Sequence, residues 1–175
     1  MILIGLGSNL TTEEYASSRE ILEAAIDALK THNIIPVKCS RFYETEPVPK
    51  SDQPWFVNSV ISVETALEPR ALLRVLHDIE SGLGRVRRER WEARIIDLDL
   101  LSYDEQVVPD LESWQKAASD FLMSEAIIPH PRLHERSFVL QPISDIDPDW
   151  IHPVLKKNVK TMIEEQNSDA IVRLL

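Results

Sequence analysis

The chain has 175 residues, 43% hydrophobic and 27% charged, which is enough for one globular domain with a sizeable core and too few for two ordinary ones. A formal net charge of −10 argues against a general nucleic-acid binder, and the lone Cys39 with five scattered histidines argues against a disulfide framework or a thiolate zinc site. No apolar run approaches the ~18 residues of a membrane span, and Met1 to Gly5 carries no basic leader region, so the expectation is a cytoplasmic protein with no membrane partner.

The elements follow in chain order. Ile2 to Leu6 is a short apolar run closed by Gly7 and reads as a buried strand. Thr11 followed by Glu14 is a capping-box signal for a helix reaching about Lys30, with Leu22, Ile26 and Leu29 on one stripe. Ile34 to Tyr43 reads as a strand, as does Val57 to Thr65, where Val57, Ile61 and Val63 share a face. Pro69 opens a second helix marked by Leu72, Leu76, Ile79 and Leu83. Ile95 to Tyr103 is a strong strand. The order β-α-β-β-α-β is the split βαβ of an α+β, ferredoxin-like sheet, with helices on one face and a C-terminal extension. Without a repeat, a low-complexity tract or a linker, residues 1–175 form a single domain.

The residues best suited to chemistry lie between Gly84 and Leu100. Five of the twelve arginines, Arg85, Arg87, Arg88, Arg90 and Arg94, fall within ten residues there. Alternate side chains of a strand share a face, so Asp97 and Asp99 point one way while Ile96, Leu98 and Leu100 point into the core. Two carboxylates on one face form a hard oxygen site suited to Mg²⁺, which binds one or two carboxylates plus phosphate oxygens. Guanidinium groups match phosphate geometry and stay charged. Alone, an Asp-x-Asp pair is a solvated strand edge and an arginine run is a solvated loop. Their adjacency, with Trp91 between the arginines, favours phosphoryl transfer from a Mg–nucleotide.

Other patterns carry less. Gly5-Leu6-Gly7-Ser8-Asn9 lacks the third glycine of a dinucleotide fingerprint, with Leu10 in its place, and reads as a strand ending in a tight turn. No phosphate-binding P-loop is present. His130 and His134 are four apart, but Pro129 and Pro131 oppose the helix that a zinc pair would need. One loop histidine near phosphates reads as a hydrogen-bond donor or as a structural residue. Phe56 and Phe138 read as core. Asn58, on a strand of Val and Ile, is a satisfied buried amide or a reader of a heterocycle edge.

Several stretches together match a known pattern: 5–10, 42–47, 52–58, 80–99 and 128–140, including Arg94-Ile95-Ile96-Asp97-Leu98-Asp99 and Pro129-His130-Pro131-Arg132-Leu133-His134-Glu135-Arg136. Over roughly residues 2 to 153 the chain resembles the 6-hydroxymethyl-7,8-dihydropterin pyrophosphokinase family of folate biosynthesis. The resemblance implies transfer of pyrophosphate from ATP to the pterin hydroxymethyl group, releasing AMP, with ATP as co-substrate and two Mg²⁺ ions held by Asp97 and Asp99. It implies that Asp97 also orients or deprotonates the attacking hydroxyl and that Arg85 and Arg94 stabilise the transferring group. Glu80, Arg87, Trp91, Arg94, Leu100, His130 and Arg136 would serve the nucleotide. Phe56 and Phe138 would sandwich the pterin, an arrangement suited to offset stacking, with Asn58 on its edge, Thr45, Pro47 and Val48 completing the pocket and Trp91 closing it. A monomer with small-molecule partners and no nucleic acid is expected.

The sequence also departs from that pattern. The arginine loop is about one residue shorter than in some relatives, which leaves Arg88 and Arg90 unassigned, and Phe56 stands where tyrosine is common. The largest departure is 109–125, where Leu111, Trp114, Ala118 and Phe121 fall at helical spacing and predict a short amphipathic insert packed on the body. Two other readings remain at this level. One is a Mg-dependent phosphohydrolase on the same carboxylates. The other is a non-catalytic ligand- or RNA-binding ferredoxin-like module, which would need an open basic sheet face.

Overall fold

The structure, a computed structural model, describes residues 1–47, 50–85, 94–119, 126–166 and 171–175. An antiparallel sheet is built from β1 (Ile2–Ser8), β2 (Ile35–Cys39), β3 (Tyr43–Thr45), β4 (Phe56–Glu64), β5 (Asp97–Tyr103) and β6 (Val172–Leu174). The strands lie in the order β5-β1-β4-β3-β6, and β2 pairs with the far end of β4. Helices α1 (Ser18–Thr31) and α2 (Pro69–Gly82) bury Ile21, Leu22, Leu29, Leu72, Leu76 and Ile79 against the face of the sheet formed by Ile4, Leu6, Ile61 and Leu98.

The expected single strand from Ile34 to Tyr43 is two strands laid end to end along β4. The break has a local cause: the Ser40 hydroxyl takes the Val60 N–H at 3.0 Å, and the Arg41 N–H goes to Asp145 instead of to the sheet. Helix α1 also begins later than the Thr11/Glu14 signal suggests. Ser17 is its N-cap and accepts from the Glu20 N–H, while the Glu20 carboxylate takes the Ala16 N–H. Thr12 instead closes a turn with the Tyr15 N–H.

Helices on one face describe only the first two-thirds of the chain. In the C-terminal extension, α4 (Ser137–Ile146) and α5 (Val159–Glu164) cover the second face, where Val139, Leu140, Ile143, Trp150 and Met162 pack on Leu3, Val60 and Leu101. The predicted insert contains α3 (Leu111–Ser119). Trp114 is buried, with its indole N–H on the Pro129 carbonyl at 2.8 Å, but Leu111 of the expected stripe is 51% exposed. Ala118 is half-buried, and Phe121 lies outside the described residues.

α4 does not cover the whole second face. It leaves uncovered the ends of three neighbouring strands, and this gap is where the site forms.

Candidate active site

Register sets the floor of the site. On β1, Gly7 lies between Asn58 of β4 and Asp97 of β5, and Gly5 lies between Val60 and Asp99. A Cβ on Gly7 would come within 3.0 Å of Asn58 Oδ1, and one on Gly5 within 3.2 Å of a Leu101 methyl. Glycine at these positions makes room for the Leu101 side chain and the Asn58 amide, and the amide and the carboxylates stand about 10 Å apart across the floor, two strand spacings. The cavity above has a volume of about 300 Å³. It is lined at one end by Thr45, Pro47, Phe56, Asn58 and Phe138 and at the other by Arg94, Asp97, Asp99, His130 and Arg136.

At the charged end, Asp97 is held from two sides. Arg85 Nη1 donates to its Oδ1 at 2.6 Å and Arg94 Nη1 to its Oδ2. Arg136 Nη1 stands 3.6 Å from Asp99 Oδ2, and Asp99 is the more open of the two, its side chain 39% exposed against 23% for Asp97. Burial lowers the Arg136 pKa from its usual value, and Asp99 opposes that shift. His130 arrives by a different route. A bulge in β5 adds Leu101 opposite the Leu3/Ile4 step of β1, and the Leu101 carbonyl accepts the His130 N–H at 2.8 Å. Burial, reinforced by Arg136, pushes the His130 pKa down to about 3, so the ring is neutral. Its Nδ1 accepts from the Arg132 N–H at 3.1 Å, which favours the ring proton on Nε2, a nitrogen 3.5 Å from Arg136 Nη1.

The ring end carries two aromatic rings and the Asn58 amide, and Glu46, Ser51 and Gln53 also line the cavity. Asn58 Nδ2 donates to the buried Thr45 Oγ1 at 2.6 Å, leaving Oδ1 over Gly7 as an acceptor. Phe56 comes from the start of β4, and Phe138 from the first turn of α4, where the Arg136 guanidinium carbon lies 5.8 Å from its ring centroid.

Not every expected residue reaches the cavity. Leu100 has its side chain in the helix-side core, so any part it plays at the nucleotide falls to its backbone. Glu80 is buried behind the site, where its Oε1 accepts the Leu98 N–H at 2.7 Å and pairs with Arg85. That placement makes it a brace for β5 and Arg85. Val48, Arg87 and Trp91, with Arg88 and Arg90, lie outside the described residues.

The strand-end turn contains a residue whose role the sequence did not reveal. Asn9 is buried, and its Oδ1 accepts the Arg94 N–H at 2.7 Å. Its Nδ2 donates to the Pro54 carbonyl at 3.1 Å and to Gln53 Oε1 at 3.3 Å, and its own N–H donates to the Arg94 carbonyl at 3.0 Å. One amide thus ties the segment before Phe56 to the segment carrying Arg94. Its one legible signal is an asparagine two residues after the Gly-x-Gly, at the end of the first strand.

The donor set also suits a hard cation. Among the described residues no three His, Cys, Asp or Glu side chains cluster as a metal cage. Two carboxylates on one face beside phosphate-matching guanidinium groups fit Mg²⁺, which completes its shell with phosphate oxygens and water. The fold is α+β, and its cavity brings a carboxylate–guanidinium cluster to one end and two aromatic rings with an amide to the other.

Comparisons with known proteins name the family. Residues 3–148 match the family model described as 7,8-dihydro-6-hydroxymethylpterin-pyrophosphokinase (HPPK). The chain is 36% identical over 149 residues to the 2-amino-4-hydroxy-6-hydroxymethyldihydropteridine pyrophosphokinase of Methylorubrum extorquens, covering 85% of this chain and 83% of that one. It is 38% identical over 144 residues to the Bacillus subtilis protein of the same name, covering 82% and 75%. Among solved structures it resembles wild-type Plasmodium falciparum HPPK-DHPS with pteroate, with a TM-score of 0.69 and 16% identity over 94% of this chain and 44% of that one. The same protein with STZ-DHP gives a TM-score of 0.69 and 18% identity, over 94% and 42%. At those identities the structures speak for the fold alone, an antiparallel sheet with helices like that of HPPK domains. The chain belongs to the 7,8-dihydro-6-hydroxymethylpterin-pyrophosphokinase family.

Proposed function

We infer that the cavity carries out the family's reaction, with the pterin at the Phe56–Phe138 end and the ATP phosphates at the Asp97–Asp99 end. The chain is an ATP-dependent diphosphotransferase of folate biosynthesis that moves pyrophosphate from ATP to the hydroxymethyl group of 6-hydroxymethyl-7,8-dihydropterin. The observation that carries the site assignment is the Asn58–Gly7–Asp97 row, which sets a ring-edge acceptor and a carboxylate on one floor.

In this reading the hydroxymethyl oxygen attacks the β-phosphorus of ATP, the bond from that phosphorus to the α,β-bridging oxygen breaks, and AMP leaves. Asp97 accepts the hydroxyl proton or orients it. Arg85 and Arg94, already converging on Asp97, turn to the charge of the transferring group. Arg136 and the His130 Nε2–H donate to phosphate oxygens. Two Mg²⁺ ions, held by Asp97, Asp99 and the phosphates, would neutralise the triphosphate and the departing AMP. Phe56 and Phe138 stack on the pterin, while Asn58 Oδ1 accepts from its N–H edge and the wall at Thr45 and Pro47 closes the side. The family resemblance further assigns Arg87 and Trp91 to the nucleotide and Val48 and Trp91 to the pterin.

The sheet order supports a ferredoxin-like assignment, with β2 and β3 together standing for its second strand. We read residues 1–175 as a single-domain, monomeric, cytoplasmic enzyme without nucleic-acid or membrane partners. No helix among the described residues is long and apolar enough to cross a membrane, and the net charge is −10. α4 covers much of the sheet face that an RNA-recognition module would leave open, and nothing about the ring end serves a simple phosphohydrolase.

The test is AMP formation from ATP and Mg²⁺ with and without the pterin. Pterin-dependent AMP with a pyrophosphorylated pterin is expected. Pterin-independent ADP and phosphate would replace this reading with hydrolysis.

A further inference from the structure

The last strand lies beyond residues 3–148, where the family model matches, yet it is paired with the edge of the site. In β6, Val172 stands opposite Thr45, Arg173 opposite Glu44 and Leu174 opposite Tyr43. The Glu46 N–H donates to the Ile171 carbonyl at 3.2 Å and the Leu175 N–H to the Phe42 carbonyl at 3.0 Å. β3 is only three residues long and carries Thr45, the hydroxyl that fixes Asn58. β4 holds one edge of it and β6 the other.

Across this ladder a single guanidinium makes two further contacts. Arg173 Nε and Nη2 donate to Glu44 Oε2 at 2.8 and 2.7 Å. The Arg173 guanidinium carbon also stands 4.4 Å from the centroid of the Trp55 ring. Glu44 immediately precedes Thr45, and Trp55 immediately precedes Phe56. Arg173 therefore links the two backbone positions that deliver the hydroxyl wall and one stacking ring to the same pocket. An exposed ion pair alone contributes little, but a guanidinium held by both a carboxylate and an aromatic face has one preferred place.

We propose that Arg173, presented by β6, is a positioning residue for the pterin end of the cavity: Thr45 and Phe56 are ladder partners of β3 and β4, and Arg173 reinforces that pair through Glu44 and Trp55 and so tunes affinity for the pterin but not for ATP. This rests on the pterin lying at the Phe56–Phe138 end. Arg173 does not line the cavity, so its effect passes through Glu44 and Trp55.

The test is steady-state kinetics of the full chain for Arg173→Ala, Arg173→Lys and Glu44→Gln, with Phe138→Ala as reference. Arg173→Ala is expected to raise the pterin KM about three- to tenfold while kcat and the ATP KM stay within about twofold. Arg173→Lys keeps a cation for Glu44 and Trp55 and should recover most of the affinity, and Glu44→Gln should give a smaller shift of the same kind. A lower melting temperature with an unchanged pterin KM in both Arg173→Ala and Glu44→Gln would reduce the contact to simple stabilisation and overturn the proposal. Should Arg173→Ala not fold, an unchanged pterin KM in Glu44→Gln would overturn it alone. If Phe138→Ala instead raises the ATP KM, the placement of the pterin itself is wrong, a result distinct from a silent Arg173.

Discussion

The two ends of the cavity are built on opposite principles. At the charged end each carboxylate already faces a guanidinium of the same chain, Asp97 between Arg85 and Arg94 and Asp99 beside Arg136. At the ring end Phe56, Phe138 and the Asn58 amide face an open slot, with Glu46, Ser51 and Gln53 also on the cavity wall. The charged end is internally paired before any ligand arrives, so in the proposed reading a metal–nucleotide would exchange one set of ion partners for another. The ring end gains its apolar burial only when a ring enters. Substitutions at the first end should therefore cost turnover, stability and nucleotide affinity, and those at the second should cost pterin affinity.

The largest effect expected is at Asp97. Asp97→Asn should lower kcat on the order of 10³-fold, as loss of a group that meets developing charge does, measured by AMP release under saturating substrates. It should also lower unfolding free energy by about 1–3 kcal/mol in a denaturant titration, because Arg94 loses its carboxylate partner and Arg85 keeps only Glu80. A Phe138→Ala variant sharpens the contrast. Its pterin KM should rise roughly tenfold or more through lost stacking, with kcat at saturation and the ATP KM little changed.

Asn9 tests whether the two ends can be separated at all. Asn9→Ala removes side-chain bonds to Arg94 on one side and to Gln53 and Pro54 on the other. Both KM values should rise, by about five- to thirtyfold, where substitutions at either end move only one. A rise confined to one substrate would show that the two segments are held independently.

His130 sets a pH signature. Its folded pKa, about 3, lies below the unfolded value of about 6.5, so the stability tied to its neutral form is fully present above pH 6.5. That contribution is lost as pH falls from 6.5 through 3. Melting temperature in wild type should fall more steeply over this range than in His130→Gln, while the pH–rate profile shows no histidine inflection between 5 and 8. The smallest effect is expected away from the cavity. Trp114→Phe loses the hydrogen bond to the Pro129 carbonyl, worth about 1 kcal/mol, and should lower the melting temperature by about 2–4 °C with activity unchanged.

The same contrast explains what could be read from the sequence. The charged end is largely local: Arg85, Arg94, Asp97 and Asp99 lie within fifteen residues, and strand alternation alone puts both carboxylates on one face. The ring end is gathered from β3, β4 and α4, and no spacing rule links Thr45, Phe56 and Phe138, so only the family resemblance named them. Asn9 and Arg173 act through bonds spanning 85 and 129 residues, which leave no local pattern. Glu80 and Leu100 went the other way. Both stand beside the site in sequence, yet one turns to brace the Leu98 N–H and the other packs into the helix-side core. The strand break at Ser40 was equally hidden, because it depends on a hydroxyl replacing a backbone partner across the sheet.

The most direct test of a divided cavity is equilibrium titration of the pterin and, separately, of Mg–ATP into wild type, Phe138→Ala and Asp99→Asn. The divided cavity predicts a crossed result: Phe138→Ala loses pterin affinity and keeps ATP, and Asp99→Asn loses Mg–ATP and keeps the pterin. Equal weakening of both ligands by both variants would contradict it.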